Sequence, residues 1–370
     1  KDADRAIEAY AAILGEYGED EADAFRALDR LYEQQGRWRD FADTLERRIE
    51  LGPESTEELA ALKFRLGRAL ELHLEEKEKA VDLYREVLTL LPEHDGGRIA
   101  LEGLLDDEAV GVAAARILEP VYEMQGSWEP LIRALRVLHA GSTEPDERLA
   151  LLTKIGEVYG ERIENHDEAF AAYSEALTGE PSSEDTLARL ETLAITQERF
   201  PQLVALLSKL GGEVTDLELR RSLRMKAASM QDTQLGDVDG AVTSYRLVLE
   251  DDPADQEALL ALDALFRRTE RWSDLVGVLR RRAEQTSEPE EKEELLAQTA
   301  AIHDEYLEDP TTAISVYHEI LSLDPASPRA LSSLDDLYGR QEKWADLADN
   351  VGRQRSEERR VGKEGRSRWS

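Results

Sequence analysis

The chain has 370 residues, 80 of them acidic and 46 basic, which gives a net charge of −34 at pH 7. This charge disfavours nucleic acid and anionic membrane surfaces as partners. The lack of cysteine excludes disulfides and thiolate metal sites, and no apolar run reaches the ~18 residues of a membrane helix. With no signal peptide in view, these features predict no membrane insertion and favour a cytoplasmic location. The excess acid has two interpretations, the solubility of a long surface or the attraction of a basic partner.

The first recurring phrase begins at Ala6 as AIEAYAAILGEYG and returns four times. Its copies place five tyrosines at equivalent positions: Tyr10, Tyr84, Tyr173, Tyr245 and Tyr317. Eight residues after all but the first of them comes a proline, at Pro92, Pro181, Pro253 and Pro325. Apolar residues at steps of four and three predict a helix, which the proline ends. We expect the tyrosines of the last four copies to be buried.

The second phrase begins at Arg37 as RWRDFADTLERR and also occurs five times. Its aromatic residues, here called the anchors, are Trp38, Trp128, Phe200, Trp272 and Trp344. Apolar residues at +3, +4 and +7 from each anchor form one helical stripe. Gly36 and Gly126 stand two residues before their anchors, as expected beyond the end of a helix. The pattern predicts that each anchor begins the second helix of a hairpin and is largely buried; a ligand cage is the alternative.

The two phrases alternate, so that 72 residues hold four helices in two hairpins. A small residue stands thirteen residues before each alanine that opens the last four copies of the first phrase: Gly67, Gly156, Ala228 and Ala300. A small residue followed by Ala, Tyr and Ile at +13, +17 and +20 and by Pro at +25 resembles the tetratricopeptide repeat (TPR). The resemblance covers residues 1 to about 354. It implies an all-α, right-handed α-α superhelix (solenoid) of about ten TPR-like hairpins that binds a protein or peptide on its concave face.

One segment, residues 93–127, departs from the repeat. Pro92 and Trp128 are 36 residues apart, whereas Pro325 and Trp344 are 19 apart. The extra length predicts one additional short helix, and Pro120 predicts a kink. The segment is interpreted as a variation in packing or, alternatively, as a break that forms a binding notch or a hinge.

The last sixteen residues, 355–370, have no counterpart in the repeat and are basic. Their string RSEERRVGKEGRSRWS is similar to the in-frame translation of a sequencing-adapter oligonucleotide, with Gly365 where cysteine is expected. We therefore expect a non-native tail that is dispensable for folding. On this interpretation residues 1–354 are a fragment of a solenoid that lacks both native ends.

Residues that carry chemistry are scarce. None of the six histidines has the spacing of a metal or catalytic motif, and they are interpreted as surface residues: His73, His94, His139, His166, His303 and His318. The segment GDVDGA at Gly236 is similar to half of a calcium loop, but it lacks the other ligands, so a helix N-cap is preferred. The sequence thus predicts no catalytic, cofactor-binding or metal-binding residue and no cofactor.

Three functions remain open at this point. The first is a non-catalytic scaffold that binds a protein or peptide, of basic character if the acidic surface attracts it. The second is an interaction or sensing segment of a larger regulatory protein whose effector domain lies elsewhere. The third is an enzyme with its active site in the groove of the superhelix. The partner-binding residues are unknown from sequence.

Overall fold

The computed structural model describes residues 2–17 and 22–354, and every regular element in these ranges is a helix. The all-α prediction is therefore confirmed. The chain divides into two compact units, Lys1–Gln197 and Glu198–Ser370. The division falls in the turn between two helices of one predicted hairpin.

The first unit holds eleven α-helices in the residues described. Their bounds are α1 (Asp2–Tyr17), α2 (Ala22–Gln35), α3 (Trp38–Glu50), α4 (Thr56–His73), α5 (Lys77–Leu90), α6 (Asp95–Leu104), α7 (Gly111–Gln125), α8 (Trp128–Gly141), α9 (Pro145–Glu157), α10 (His166–Gly179) and α11 (Glu184–Thr196). A π-helix, Val158–Ile163, continues α9. Each helix packs chiefly against its neighbours in sequence, most closely α4 on α5 and α9 on α10.

The second unit repeats the same order of helices. Its elements are α12 (Phe200–Glu213), α13 (Leu217–Thr233), α14 (Val238–Asp251), α15 (Gln256–Arg268), α16 (Trp272–Gln285), α17 (Pro289–Glu305), α18 (Pro310–Leu323), α19 (Pro328–Arg340) and α20, residues 344–354. Between Trp272 and Trp344 lie four helices, as the 72-residue spacing predicts. Consecutive packing again dominates, which confirms a helical repeat in each unit.

Contact between the small residue and the tyrosine explains why the first phrase needs both. A methyl group added at Gly67 would lie 2.7 Å from Cε1 of Tyr84, and one at Gly156 would lie 2.5 Å from Cε1 of Tyr173. The alanines that replace these glycines in the second unit are fully buried. The four tyrosines expected to be buried are so, with Tyr84 at 0% exposure. The prediction for the tyrosines is confirmed.

A cap recurs two residues after each proline of the first phrase. Ser183, Asp255 and Ser327 each accept a hydrogen bond from the backbone N–H three residues later, and His94 does so through Nδ1. Each of these caps satisfies one of the free donors at the start of the next helix. The proline and the cap together explain why one helix ends and the next begins within a few residues.

The anchors begin their helices as predicted, and the prediction that they are largely buried is wrong for Trp344 but holds in part for the other four. Trp38, Trp128, Phe200 and Trp272 are half-buried, and Trp344 is 63% exposed. The ring lies at the first helical position, at the edge of the core, and in two copies it stacks on the end of the following hairpin's first helix. Trp38 stacks on His73 with ring centroids 3.6 Å apart, and Trp272 stacks on Tyr306 at 4.0 Å.

The irregular segment contains the extra helix predicted for it. The copies at Ser183 and Ser327 have one helix of 13 residues between the cap and the anchor phrase, whereas here α6 and α7 share that place. Asp107 joins them: its Oδ1 accepts from the N–H groups of Ala109 and Val110, and its Oδ2 accepts from Lys77 Nζ at 2.6 Å. α7 continues through Pro120.

The predicted non-native tail, residues 355–370, lies outside the described residues. No helix in the described ranges has the length and apolar character to cross a bilayer.

Candidate functional site

The described part of the chain brings no three His, Cys, Asp or Glu side chains together in a way that could hold a metal ion. The segment at Gly236 forms the N-cap predicted for it, since Asp237 accepts a hydrogen bond from the N–H of Gly240. Of the histidines, His73 stacks on Trp38, His94 caps α6, and His318 Nε2 lies 2.7 Å from the Tyr338 hydroxyl.

His139 contradicts the interpretation of the histidines as surface residues. It lies on α8 and is only 7% exposed. His139 stands one helical turn beyond the +7 position of the second phrase, so it lies on the same face as the apolar stripe. Its Nε2 is buried without a hydrogen-bond partner in the described structure. Burial, assisted by the nearby charge of Arg148, lowers the pKa of His139 below its usual value. The neutral form of the imidazole is therefore favoured.

The first helices of successive hairpins in the second unit are joined side by side by ion pairs and, between α15 and α17, by a hydrogen bond. Arg221 of α13 lies 2.7 Å from Glu257 of α15, and Arg267 of α15 donates to Gln298 of α17 at 2.7 Å. Arg329 and Arg340 of α19 pair with Glu294 and Asp304 of α17. These contacts place α13, α15, α17 and α19 along one face, which we call the first-helix face.

Each unit has a cleft beside its first helices. The cleft of the first unit has a volume of about 310 Å³ and that of the second about 470 Å³. The larger one, here called the acidic cleft, lies between α17, α18 and α19 and has a volume of about 470 Å³. Its ionisable lining residues are three acids and one base besides Tyr317: Asp304, Glu305, Asp336 and Arg340. Because only one of these acids is paired with the single base, the cleft carries a net negative charge at neutral pH.

The charges of the acidic cleft are held in different ways. The Asp304 side chain is only 16% exposed, and its carboxylate raises the pKa of Arg340, its ion-pair partner. Glu305 and Asp336 are exposed at the rim. The rim acids are thus accessible to a cation from outside, whereas Asp304 and Arg340 tie α17 to α19.

The cleft in the first unit, of about 310 Å³, has Trp128 in its wall and lies beside the π-helix. The Arg162 guanidinium lies over the Trp128 ring, 5.4 Å from its centroid. Lys154 projects into the same cleft and pairs with Glu119 at 2.7 Å and with Glu123 at 2.5 Å. The Trp128 face in this cleft is therefore already covered by a cation, the Arg162 guanidinium.

No protein-family model and no curated protein matches the chain. Solved structures do match it. The C-terminal part of a TPR repeat-containing protein from Cytophaga hutchinsonii is 13% identical and is aligned over 68% of this chain and 98% of its own, with a TM-score of 0.29. The TPR domain of P58(IPK) is 12% identical over 96% of this chain and 93% of its own, with a TM-score of 0.22.

Each unit is a stack of TPR-like helical hairpins. In the first unit Gly67 and Gly156 approach Tyr84 and Tyr173 closely, in the second unit buried alanines take the place of these glycines, and in both units the helices pack consecutively. Sequence reasoning did not single out the acids of the cleft, because they lie on helices separated by about one hairpin. The repeat spacing could have pointed to the ion pairs between first helices. Arg268 and Arg340 are 72 residues apart, and so are the acids with which they pair, Asp232 and Asp304.

Proposed function

We propose that the chain is a non-catalytic scaffold that binds a polypeptide partner on the first-helix face, and that this partner presents lysine or arginine. The acidic cleft carries the proposal, because it combines a volume of about 470 Å³ with three carboxylates against one guanidinium. An open cleft of this kind offers charge complementarity and orientation to a basic side chain. The same surface would serve if the chain is part of a larger regulatory protein.

The use of basic residues within the fold supports this proposal. Arginines of the first helices are engaged by acids of the neighbouring first helix, as Arg189 is by Glu157 at 2.9 Å and Arg65 by Glu33 at 3.3 Å. The chain has 80 acidic residues for 46 basic ones, so an excess of negative charge remains even when every basic residue is paired. Association with a basic segment would be accelerated by this field and weakened by salt.

The test is a titration of the full chain with a labelled, tyrosine-free peptide rich in Lys and Arg, followed by fluorescence anisotropy at low and high salt. We expect saturable binding that weakens as salt rises, and no binding of a Glu-rich peptide of equal length. The double variant Glu305→Lys/Asp336→Lys should weaken binding by about tenfold, since each exposed pair contributes a fraction of a kcal/mol and its reversal adds repulsion.

The matched control is Glu250→Lys/Glu284→Lys. It makes the same change of charge at exposed positions of α14 and α16, which are second helices of their hairpins. We expect it to lower affinity far less than the variant of the cleft. An equal loss in both variants would show that only the net charge matters, and would refute the proposal for the acidic cleft.

A further inference from the structure

The tyrosine of the first phrase has a free hydroxyl at the acidic cleft. Tyr317 of α18 lines this cleft and is only 7% exposed. Its hydroxyl has no hydrogen-bond partner among the described residues, and unlike Nε2 of His139 it is not sealed from water. Because polar groups in the interior normally have a partner, this hydroxyl is available to a ligand that enters the cleft.

The register of the repeat shows where the Tyr317 hydroxyl points. In the first unit the equivalent Tyr84 donates to Glu71 at 2.6 Å. Glu71 and Asp304 occupy the same position of the repeat, four residues after its small residue, and Asp304 lines the acidic cleft. An aspartate is one methylene shorter than a glutamate, and the Asp304 carboxylate is paired with Arg340. The hydroxyl of Tyr317 is thus left free beside an acid that is already engaged.

A second free hydroxyl lies on α19. Ser333 is half-buried, lines the acidic cleft and has no hydrogen-bond partner in the part of the chain that the structure describes. Glu305 of α17 and Asp336 of α19 are exposed at the rim of the same cleft. Oxygen acceptors from three helices therefore border one space of about 470 Å³.

The equivalent place between α13, α14 and α15 allows a comparison. Tyr245, which stands 72 residues before Tyr317, is also buried and has no hydrogen-bond partner among the described residues. An ion pair of aspartate and arginine recurs there as well, Asp232 with Arg268. The other polar groups differ: Glu305, Ser333 and Asp336 are replaced by Thr233, Ala261 and Ala264. The repeat itself does not require these three groups, so they are particular to the acidic cleft.

The charges leave the cleft with a need for a cation. Two arginines of α19 act on its groups, and both are engaged by acids of α17: Arg340 by Asp304 and Arg329 by Glu294. The two rim acids form no ion pair within the described residues. Negative charge and free acceptors therefore remain, whereas the cations of the fold are already used.

The arrangement of the acceptors distinguishes an ammonium from a guanidinium. An ammonium has three rotatable donors on one nitrogen, so three separate oxygens satisfy it. A guanidinium is a planar fork that pairs best with both oxygens of one carboxylate. The carboxylate beside the Tyr317 hydroxyl is that of Asp304, which Arg340 already occupies. Inside the cleft a guanidinium would find only single hydroxyl oxygens, and its best partners would be at the rim.

We propose that the acidic cleft takes up a lysine side chain of the partner, and that the hydroxyls of Tyr317 and Ser333 accept hydrogen bonds from its ammonium together with a rim carboxylate. The two hydroxyls are then the groups that select lysine over arginine. An arginine would be held at the rim by Glu305 and Asp336 alone. The inference rests on the proposed function and adds to it the identity of the basic residue.

The experiment compares two labelled peptides of one sequence, in which every basic position is either lysine or arginine. Fluorescence anisotropy with the full wild-type chain at low salt should show tighter binding of the lysine peptide. In Tyr317→Phe/Ser333→Ala we expect the affinity for the lysine peptide to fall by about tenfold, because hydrogen bonds to a charged group are lost. The affinity for the arginine peptide should be unchanged, which also shows that the variant is folded.

The matched control is Tyr245→Phe/Ser332→Ala. It removes the equivalent tyrosine hydroxyl of the place that lacks the rim acids, and the hydroxyl of an exposed serine on α19 that does not line the cleft. We expect the affinities for both peptides to equal those of the wild-type chain. A loss for the lysine peptide as large as that in Tyr317→Phe/Ser333→Ala would overturn the proposal.

Further outcomes separate this inference from the proposed function. If Glu305→Lys/Asp336→Lys weakens both peptides but Tyr317→Phe/Ser333→Ala weakens them equally, or weakens neither, the selection of lysine is overturned and the basic partner stands. The same holds if the wild-type chain binds the two peptides equally. If neither peptide binds the wild-type chain, the proposed function and this inference both fail.

Discussion

The buried tyrosines and the anchors differ in exposure, although both are aromatic and both recur. Tyr84 is fully buried against Gly67, and its hydroxyl donates to Glu71 at 2.6 Å. Trp272 is half-buried, with one face on the exposed Tyr306. The core of a hairpin therefore depends on the tyrosine, and the anchor mainly joins one hairpin to the next.

We predict that Tyr84→Ala lowers the free energy of unfolding by about 3–5 kcal/mol, because it leaves a cavity in a fully packed place. Trp272→Ala should cost only about 1–2 kcal/mol, since part of its surface is already in water. Urea denaturation followed by circular dichroism measures both. A larger loss for Trp272→Ala than for Tyr84→Ala would contradict this order.

His139 predicts a pH dependence of stability. Burial lowers its pKa in the folded state, so the unfolded chain takes up the proton first as the pH falls. The contribution of His139 is complete above the unfolded pKa of about 6.5 and is lost as the pH falls through the folded pKa. Arg148, Arg136 and Glu175 are the charged groups that act on it.

We expect His139→Ile, which introduces the residue of the equivalent position Ile49, to reduce the loss of stability between pH 7 and pH 5. The pKa of His303 is also lowered by burial, so some pH dependence should remain. The measurement is the urea midpoint across this range, with pH 8 as the reference for packing effects alone. An unchanged slope in the variant would contradict the assignment.

At the scale of the helix, the ends of the first helices follow one rule. Gly36 and Gly126 have φ of 66°, and the equivalent positions Glu198, Glu270 and Glu342 also have positive φ, between 54° and 57°. A left-handed conformation suits glycine and strains residues with a Cβ atom. The glutamates are therefore held in an unfavourable conformation by the hairpin.

Glu270→Gly should consequently raise the free energy of unfolding by about 0.5–1 kcal/mol. This gain is the backbone strain that glycine relieves in the folded state, minus the entropic cost of ordering the more flexible glycine on folding. Glu270→Ala is the control, since it removes the side chain and keeps the Cβ atom. Thermal or urea midpoints of the two variants measure the difference. If both variants shift the midpoint equally, the loss of charge, and not the backbone conformation, is responsible.

The irregular segment shows what local sequence could predict and what it could not. The length between Pro92 and Trp128 was sufficient to predict one extra helix, which is present as the pair α6 and α7. The role of Asp107 was not predictable, because its contact with Lys77 joins residues 30 apart. Contacts of this range depend on the packing of hairpins, which the repeat pattern alone does not specify.

For the whole molecule, the sequence predicted the helical class, the hairpin order and the buried tyrosines, since the two phrases and their spacing carry them. It overestimated the burial of the anchors, most of all that of Trp344, because a half-buried aromatic at a helix start has the same pattern as a buried one. It also missed the burial of His139, because a single histidine in the pattern does not show which side of the helix end is covered by the neighbouring helices.

The expectation that residues 355–370 are non-native remains a prediction. Deleting them should leave the thermal midpoint and the circular dichroism spectrum of the chain unchanged, because the repeat ends before them. The comparison requires only the full chain and a version that stops at residue 354. A fall of the midpoint by many degrees would show that the tail contributes to the fold.

The central claim, that a basic polypeptide binds on the first-helix face, is tested most directly by site-specific photo-crosslinking. The photoreactive residue p-benzoylphenylalanine is placed at Glu305, on the rim of the acidic cleft, and in a separate protein at Glu284 on the second helix α16. With the tyrosine-free basic peptide at low salt, we predict crosslinking from position 305 that high salt suppresses, and little from position 284. Equal crosslinking from both positions, or crosslinking from 284 alone, would contradict the account.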